Sequence, residues 1–200
     1  VLSLALAVCV VDDAPVEPEK PFDDSQKYTY SYAFRTVSGS MAESDGVYTA
    51  GIANSMAVDN TTPFPYGTIS CTVRSNNQTD SGIVFGLTES GASTYWESGV
   101  SYYFFFLGRG GNAYLGKVDG GWKELKVVGI GAIDADRDYT LKVVLRSNKI
   151  CCYVDDTLKD EDFLTGTCYG LRAGAAGVTF SDVSVTNEYL YEYLFNAGIC

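Results

Sequence analysis

One segment of the sequence combines aromatic rings with carboxylates at close spacing. It reads ESGASTYWESG and spans residues 89–99. Sugar recognition needs an aromatic face for stacking and a few hydrogen-bonding groups beside it. The candidate carbohydrate site therefore consists of Glu89, Tyr95, Trp96 and Glu97, with Arg109 or Tyr114 at its rim. The alternative interpretation is that Trp96 anchors this loop onto the core, since a large ring is often used in that way.

Alternating carboxylates form a second candidate site. Asp134, Asp136 and Asp138 lie in the segment DADRD, and carboxylate oxygens are the ligands that calcium prefers. Arg137 stands among them, so a solvated turn is the competing interpretation. Structural calcium is the only cofactor that the sequence suggests.

The cysteines indicate an oxidising compartment. The chain has six cysteines and no histidine, and it has no C-x-x-C pair, which argues against a zinc site. An even number of cysteines and two glycosylation sequons, at Asn60 and Asn77, favour an extracellular protein. Buried thiols in a cytosolic domain are the alternative.

The predicted disulfides follow from strand alternation. Cys151 and Cys152 are adjacent on a predicted strand, so they point to opposite faces and do not bond each other. Each is predicted to bond Cys71 or Cys168. Cys9 and Cys200 would then join the two terminal segments, within a subunit or between subunits.

Charge excludes two classes of partner. The formal net charge is −11 and the isoelectric point is near 4.3, so no basic surface is available for nucleic acid or for an anionic membrane. Residues 1–11 are apolar, but eleven residues are too few to span a bilayer as a helix.

Strand-type segments dominate the remaining sequence. Twelve short runs of β-branched and aromatic residues, bounded by Gly, Asn, Asp or Ser, follow one another from Tyr28, and no amphipathic helix is evident. This pattern predicts an all-β, two-sheet antiparallel sandwich. In the run 102–106, alternation sends Tyr103 and Phe105 to one face and Tyr102, Phe104 and Phe106 to the other. One set is predicted to be core, and the other to contact a ligand or a protein.

The sequence divides into four segments. Residues 1–11 form an apolar N-terminal strand, 12–27 a proline-rich acidic linker, 28–187 the sandwich, and 188–200 an aromatic C-terminal strand. The first strand alternates large and small residues, and its large residues are Leu2, Leu4, Leu6, Val8 and Val10.

Two segments carry a resemblance to a known family. YTLKVVLRSNKICCYVDD (139–156) and YGLRAGAAGVTFSDVSV (169–185) are similar to the concanavalin-like jelly-roll modules of the laminin-G type, especially the levan-binding modules of fructan hydrolases. The resemblance covers roughly 28–186 and implies a jelly-roll fold, with the terminal strands as additions. It is specific for fold and poor for function, because this fold hosts lectins, glycosidases and adhesion domains.

Catalysis is not expected. Glucanases of this fold carry two catalytic carboxylates in an E-x-D-x-x-E pattern, and the nearest match, Glu43-Ser44-Asp45, lacks the second glutamate. The absence of histidine removes Ser-His and Cys-His nucleophile pairs. The acidic segment 155–162 is predicted to be a turn and a solvated loop.

Two functions fit these features. The favoured hypothesis is a non-catalytic extracellular structural subunit that assembles with copies of itself by donating residues 1–11 to a neighbouring sheet edge. The alternative is a carbohydrate-binding module, for a fructan or another plant or microbial glycan, within a larger secreted protein.

Overall fold

Strands account for all the regular secondary structure in the part of the chain that the structure describes. The structure is a computed structural model, and it describes residues 28–29, 32–59, 67–75, 80–87, 101–146, 149–162 and 168–187. Fifteen strands, paired antiparallel, lie within these ranges. Among the described residues, no helix has the length and hydropathy needed to cross a bilayer.

The strands form two sheets. The eight-stranded sheet contains β1 (Tyr28–Thr29), β3 (Met41–Ser44), β4 (Val47–Ala50), β6 (Gly67–Arg74), β11 (Asp138–Arg146), β12 (Lys149–Val154), β13 (Thr157–Asp162) and β15 (Thr179–Asn187). Its order is β13-β12-β11-β6-β15-β4-β3, with β1 paired to β15.

The seven-stranded sheet contains β2 (Arg35–Ser38), β5 (Ser55–Asp59), β7 (Ser81–Leu87), β8 (Ser101–Gly108), β9 (Asn112–Asp119), β10 (Trp122–Gly129) and β14 (Cys168–Ala173). Its order is β10-β9-β8-β7-β14-β5-β2. The two sheets confirm the predicted antiparallel sandwich.

The main core lies between the two sheets. On β6, alternate residues Ile69, Cys71 and Val73 are buried, and they belong to the same cluster as Phe105 of β8 and Leu141 of β11. Full burial of such an apolar side chain contributes about 1.5–3 kcal/mol before the entropy cost is subtracted. The period-two pattern of the sequence therefore defines the inner face correctly.

A second buried layer covers the opposite face of the seven-stranded sheet. Tyr102, Phe104 and Phe106 belong to a separate cluster with residues of β5, β7 and β9, and at most 5% of each remains exposed. Both faces of the aromatic run are thus buried. The prediction that one set would form a contact surface is wrong for these residues, because β8 is a central strand with apolar layers on both sides.

The acidic segment 155–162 differs from its prediction. Asp155 and Asp156 form the expected turn, with φ values of 47° and 60°, and the Asp155 carboxylate accepts a hydrogen bond from the Thr140 amide at 2.9 Å. The following residues, however, form strand β13 at the edge of the eight-stranded sheet rather than a loop. An edge strand can face water, so its sequence need not carry an apolar pattern.

The cysteine network also differs from its prediction. Cys71 is a buried free thiol, so the predicted bridge to Cys71 is not formed. Strand β11 separates Cys71 on β6 from Cys152 on β12, which places the strands about 9–10 Å apart and beyond disulfide reach. Cys152 lies in the core cluster and its neighbour Cys151 does not, which confirms that the two thiols point to opposite faces.

Several predictions concern residues outside the described ranges. These are the terminal segments 1–11, 12–27 and 188–200, the sequons at Asn60 and Asn77, and the thiols of Cys9 and Cys200. The backbone of Cys168 pairs with Leu87 in the seven-stranded sheet. The disulfides of Cys9, Cys168 and Cys200, the glycosylation and the four-segment division remain predictions.

Candidate functional site

The outer face of the seven-stranded sheet carries a group of aromatic side chains separate from the main core. Strand register places Phe106 of β8, Tyr114 of β9 and Val127 of β10 in one row across this face. The next row contains Phe104, Gly116 and Glu124, and the row after it ends at Trp122. Because side chains alternate along each strand, all of these residues point away from the eight-stranded sheet.

A buried arginine holds the central part of this face. The Arg172 guanidinium lies 4.6 Å from the centre of the Phe104 ring, and only 2% of the residue is exposed. Its nitrogens donate to the Asn54 side-chain oxygen at 3.3 Å and to the Asp80 carbonyl at 3.4 Å. A cation over a ring is favoured by the ring quadrupole, so Arg172 fixes this layer.

Toward β10 the aromatic layer reaches the surface. The Phe106 ring lies 5.1 Å from that of Tyr114, in a stacked arrangement, and 5.5 Å from that of Trp122. Phe106 is buried, Tyr114 is half-buried and Trp122 is 37% exposed. We call Tyr114 and Trp122, which both rest on Phe106, the aromatic platform.

Two glycines allow the platform rings to lie close to the sheet. A Cβ at Gly116 would lie 2.1 Å from the Trp122 ring, and a Cβ at Gly108 would lie 2.6 Å from the Tyr114 ring. Any other residue at these positions would push the rings away from the backbone. The platform is therefore held against the sheet instead of standing out into solvent.

Polar groups surround the platform. The Asn112 side-chain amide donates to the Tyr114 hydroxyl at 3.3 Å and to the Arg109 carbonyl at 3.5 Å, and the Tyr114 hydroxyl donates to the same carbonyl at 3.4 Å. The register places the exposed Glu124 on the same face as Trp122. An amide, a hydroxyl and a carboxylate therefore lie around two partly exposed rings.

An open cleft of about 660 Å³ begins at Asn112. We call it the glycine cleft. It is lined by Gly108, Gly110, Gly111, Asn112, Gly129, Gly131, Ala132 and Ile133. The two walls are joined where the Ile130 amide donates to the Gly111 carbonyl at 2.8 Å. A Cβ at Gly111 would lie 2.3 Å from the Gly131 carbonyl oxygen, so the walls are in direct backbone contact there.

The structure brings together two of the six predicted sugar-binding residues. Arg109 and Tyr114 are adjacent, through the hydrogen bond from the Tyr114 hydroxyl to the Arg109 carbonyl. The other four, Glu89, Tyr95, Trp96 and Glu97, lie outside the described residues. Trp122, Asn112 and the glycine cleft were not predicted as parts of a site. The sequence feature that could have revealed Trp122 is the Asp119-Gly120-Gly121 turn. A tight hairpin at this turn pairs Trp122 with Val118, which places Trp122 on the same face of the sheet as Tyr114.

Two of the three aspartates proposed for calcium have hydrogen-bond partners in the structure. Both Asp138 carboxylate oxygens accept hydrogen bonds from the Arg74 guanidinium, at 2.7 and 2.9 Å. The Asp134 carboxylate accepts from the backbone amide of Asp136 at 2.9 Å, as in a local turn. Within the described residues no group of three or more His, Cys, Asp or Glu side chains is placed to hold a metal ion. These contacts agree with the solvated-turn interpretation, and the calcium site remains a prediction.

The two carboxylates considered for glycosidase chemistry, those of Glu43 and Asp45, lie in the β3–β4 hairpin. Glu43 lies on edge strand β3, and its carboxylate accepts a hydrogen bond from the Gly46 amide at 2.8 Å. Asp45 occupies the turn itself, with a φ of 52°. On the outer face of the central strands β7 and β8, the described residues are aromatic, aliphatic or glycine.

Comparison with known proteins identifies the fold. No family model matches the sequence, and no curated protein matches it either. Among solved structures, the carbohydrate-binding module CBM66 from Bacillus subtilis is 15% identical, with a TM-score of 0.61 over 77% of this chain and 95% of that chain.

Two further structures share the fold at low identity. The LamA protein of Z. galactanivorans, in complex with laminaritriose and laminaritetraose, is 12% identical with a TM-score of 0.54, over 74% of this chain and 81% of that chain. A β-glucanase of Bacillus licheniformis is 12% identical with a TM-score of 0.54, over 81% of this chain and 91% of that chain. These likenesses confirm the concanavalin-like jelly-roll fold.

Proposed function

We propose that this chain is a non-catalytic carbohydrate-binding domain of an extracellular protein, and that its ligand stacks on the aromatic platform. The observation that carries the proposal is the exposed Trp122 ring, which is held against Gly116 and shares the Phe106 ring with Tyr114. The Tyr114 hydroxyl in turn accepts a hydrogen bond from the uncharged Asn112 side chain. A sugar ring has apolar C–H faces and a rim of hydroxyls, so it needs this combination of ring and polar groups.

The neighbours in fold support this choice of ligand class. One is a carbohydrate-binding module and another was solved with glucan oligosaccharides bound. Fold alone does not determine function, which depends on the residues of the site itself. The site presents aromatic rings, an amide and a hydroxyl to a ligand. The two carboxylates considered for catalysis, those of Glu43 and Asp45, lie instead at a turn on the sheet edge. Binding without hydrolysis is the function that this arrangement supports best.

Self-assembly through the terminal strands, the hypothesis favoured by the sequence, gains no support. The strand expected to be donated, residues 1–11, lies outside the described residues, and none of the structural neighbours reported above is described as a self-assembling subunit. The hypothesis therefore remains untested and is not carried further.

The proposal is tested by measuring binding to a panel of immobilised polysaccharides, which includes β-glucans, fructans and acidic glycans. We expect retention on at least one neutral member, and a loss of affinity of about tenfold in the Trp122→Ala variant, since removing an exposed aromatic anchor commonly costs 1–2 kcal/mol. Ile52→Ala is the matched control, because Ile52 is the other exposed large hydrophobic residue in the described part of the chain. Equal binding by Trp122→Ala and the unmodified protein would contradict the proposal.

A further inference from the structure

We infer that the ligand extends from the aromatic platform into the glycine cleft, so that the site binds two or more consecutive units of a neutral glycan. This inference rests on the proposed function and adds the size and charge of the ligand. Asn112 connects the two regions, because its amide contacts the Tyr114 hydroxyl while the residue also lines the cleft.

The dimensions exceed those of a single sugar ring. Gly116, beneath Trp122, lies four positions along β9 from Asn112 at the cleft, which corresponds to about 14 Å along the strand. The cleft volume of about 660 Å³ lies in the range of pockets that enclose drug-sized ligands, about 300–1,000 Å³. A monosaccharide would occupy either the platform or the cleft, whereas an oligosaccharide reaches both.

The chemistry of the cleft selects an uncharged ligand. The side chains that line it belong to Asn, Ala and Ile residues, and the other lining residues are glycines. Such a lining offers amide and backbone groups to hydroxyls, and none of the described lining residues carries a cationic side chain for a carboxylate or sulfate. The formal net charge of −11 and the exposed Glu124 on the platform face both oppose an anionic glycan.

The walls of the cleft are fixed before any ligand arrives. The hydrogen bond from the Ile130 amide to the Gly111 carbonyl and the backbone contact of Gly111 with Gly131 join the two segments. A preformed site avoids the entropy cost of ordering loops on binding. Affinity should therefore increase as added sugar units enter the cleft.

The test is calorimetric titration with laminari-oligosaccharides and fructo-oligosaccharides of one to six units, together with oligogalacturonates as charged counterparts. For the unmodified protein we expect a gain of at least about tenfold in affinity from one unit to the longest neutral oligosaccharide that fills the cleft. The Gly129→Leu variant should lose this gain. Gly129 tolerates a side chain, because a Cβ there would approach Asn112 no closer than 3.8 Å and would enter the cleft.

Two further variants make the outcome decisive. Ala132→Leu blocks the cleft from a second position on the same wall as Gly129 and replaces Gly129→Leu if that variant does not fold, and Ala42→Leu on exposed strand β3 is the control. Binding that depends on Trp122 but not on chain length or on the cleft variants would overturn this inference and leave the proposed function intact. Tighter binding of oligogalacturonates would also overturn it. Absence of binding by every oligosaccharide would overturn the proposed function as well.

Discussion

The Trp122 indole ring lies directly on the backbone of Gly116, its neighbour across the β9–β10 hairpin. A Cβ at Gly116 would lie 2.1 Å from the end of the indole, which is closer than any real Cβ contact. The register pairs Trp122 with Val118, so the ring leans along the hairpin by two residues to reach Gly116. The position of the exposed ring thus depends on the absence of a side chain on the opposite strand.

This relationship predicts the effect of Gly116→Ala. The added methyl group displaces the end of the Trp122 side chain rather than the backbone, so the fold should survive while the platform loses its shape. We expect sugar affinity to fall several-fold, up to about tenfold, as measured by titration with the ligand identified on the panel. Gly121→Ala is the control, since a Cβ at Gly121 would meet no atom within 4 Å. Unchanged binding by Gly116→Ala would show that the ring position does not matter.

The second buried layer predicts the effect of Phe104→Ala. Phe104 is 1% exposed, stacks on Phe106 with ring centres 4.3 Å apart, and lies beneath Arg172. Its truncation should lower the free energy of unfolding by about 3–5 kcal/mol, as for core phenylalanines in general. Denaturant unfolding measures this, and Phe105→Ala in the main core provides the comparison. A loss below 1 kcal/mol for Phe104→Ala would restore the interpretation of this face as an open contact surface.

The Arg74–Asp138 pair predicts a pH dependence. The hydrogen bonds and the charge of Arg74 lower the pKa of Asp138 from its ordinary value near 3.9. Because the folded pKa is depressed, the pair contributes stability above about pH 4, and this contribution is lost as the pH falls through the folded pKa. Both side chains are 52% exposed, so the contribution is small and screened by salt.

An NMR titration of the Asp138 carboxyl carbon measures this directly. Its midpoint should lie below 3.9 in the unmodified protein and should rise toward the ordinary value in Arg74→Gln. The difference in stability between the two proteins should narrow below pH 4. Identical midpoints in both proteins would show that the pair does not form in solution.

The burial of Cys71 predicts its reactivity. Desolvation raises the pKa of the Cys71 thiol, so almost no thiolate forms near neutral pH, and the thiolate is the reactive species. Iodoacetamide at pH 8 should leave Cys71 unlabelled in the folded protein and label it after denaturation, as read by peptide mass spectrometry. The same map, recorded without reduction, should show Cys71 as a thiol. A disulfide-linked peptide containing Cys71 would contradict the structure.

The sequence predicted the parts of the fold that burial controls. Strands such as Gly67–Arg74 alternate buried and half-buried residues, and that alternation is visible in the sequence. Strands β3 and β13 were missed, because both lie at sheet edges, where a polar sequence such as MAES satisfies its backbone without an apolar face. Whether a strand lies at an edge depends on how the whole sheet is arranged, so the sequence of that strand alone does not show it.

The candidate site depends on register, which the sequence shows only weakly. Arg109 and Tyr114 were predicted as rim residues, and they do lie together. The turn before Trp122 sets its contact with Gly116, whereas the pairing of Gly129 with Asn112 also requires the β-bulge between Glu124 and Lys126 to be placed correctly. The hydrogen-bond partner of Asp138 was missed for a similar reason, because it is Arg74, which lies 64 residues away in the sequence.

The central claim is that sugar binds at Trp122 and Asn112, and an NMR titration tests it most directly. The amide and indole N–H signals of the labelled protein are followed as a neutral oligosaccharide from the panel is added, with the Trp122 indole signal assigned from a Trp122→Phe variant. The largest shifts should occur at the Trp122 indole, the Asn112 side-chain amide and the backbone amides of Gly110 and Gly111. Shifts that cluster elsewhere, for example around Ile52, with the Trp122 and Asn112 signals unmoved, would contradict it.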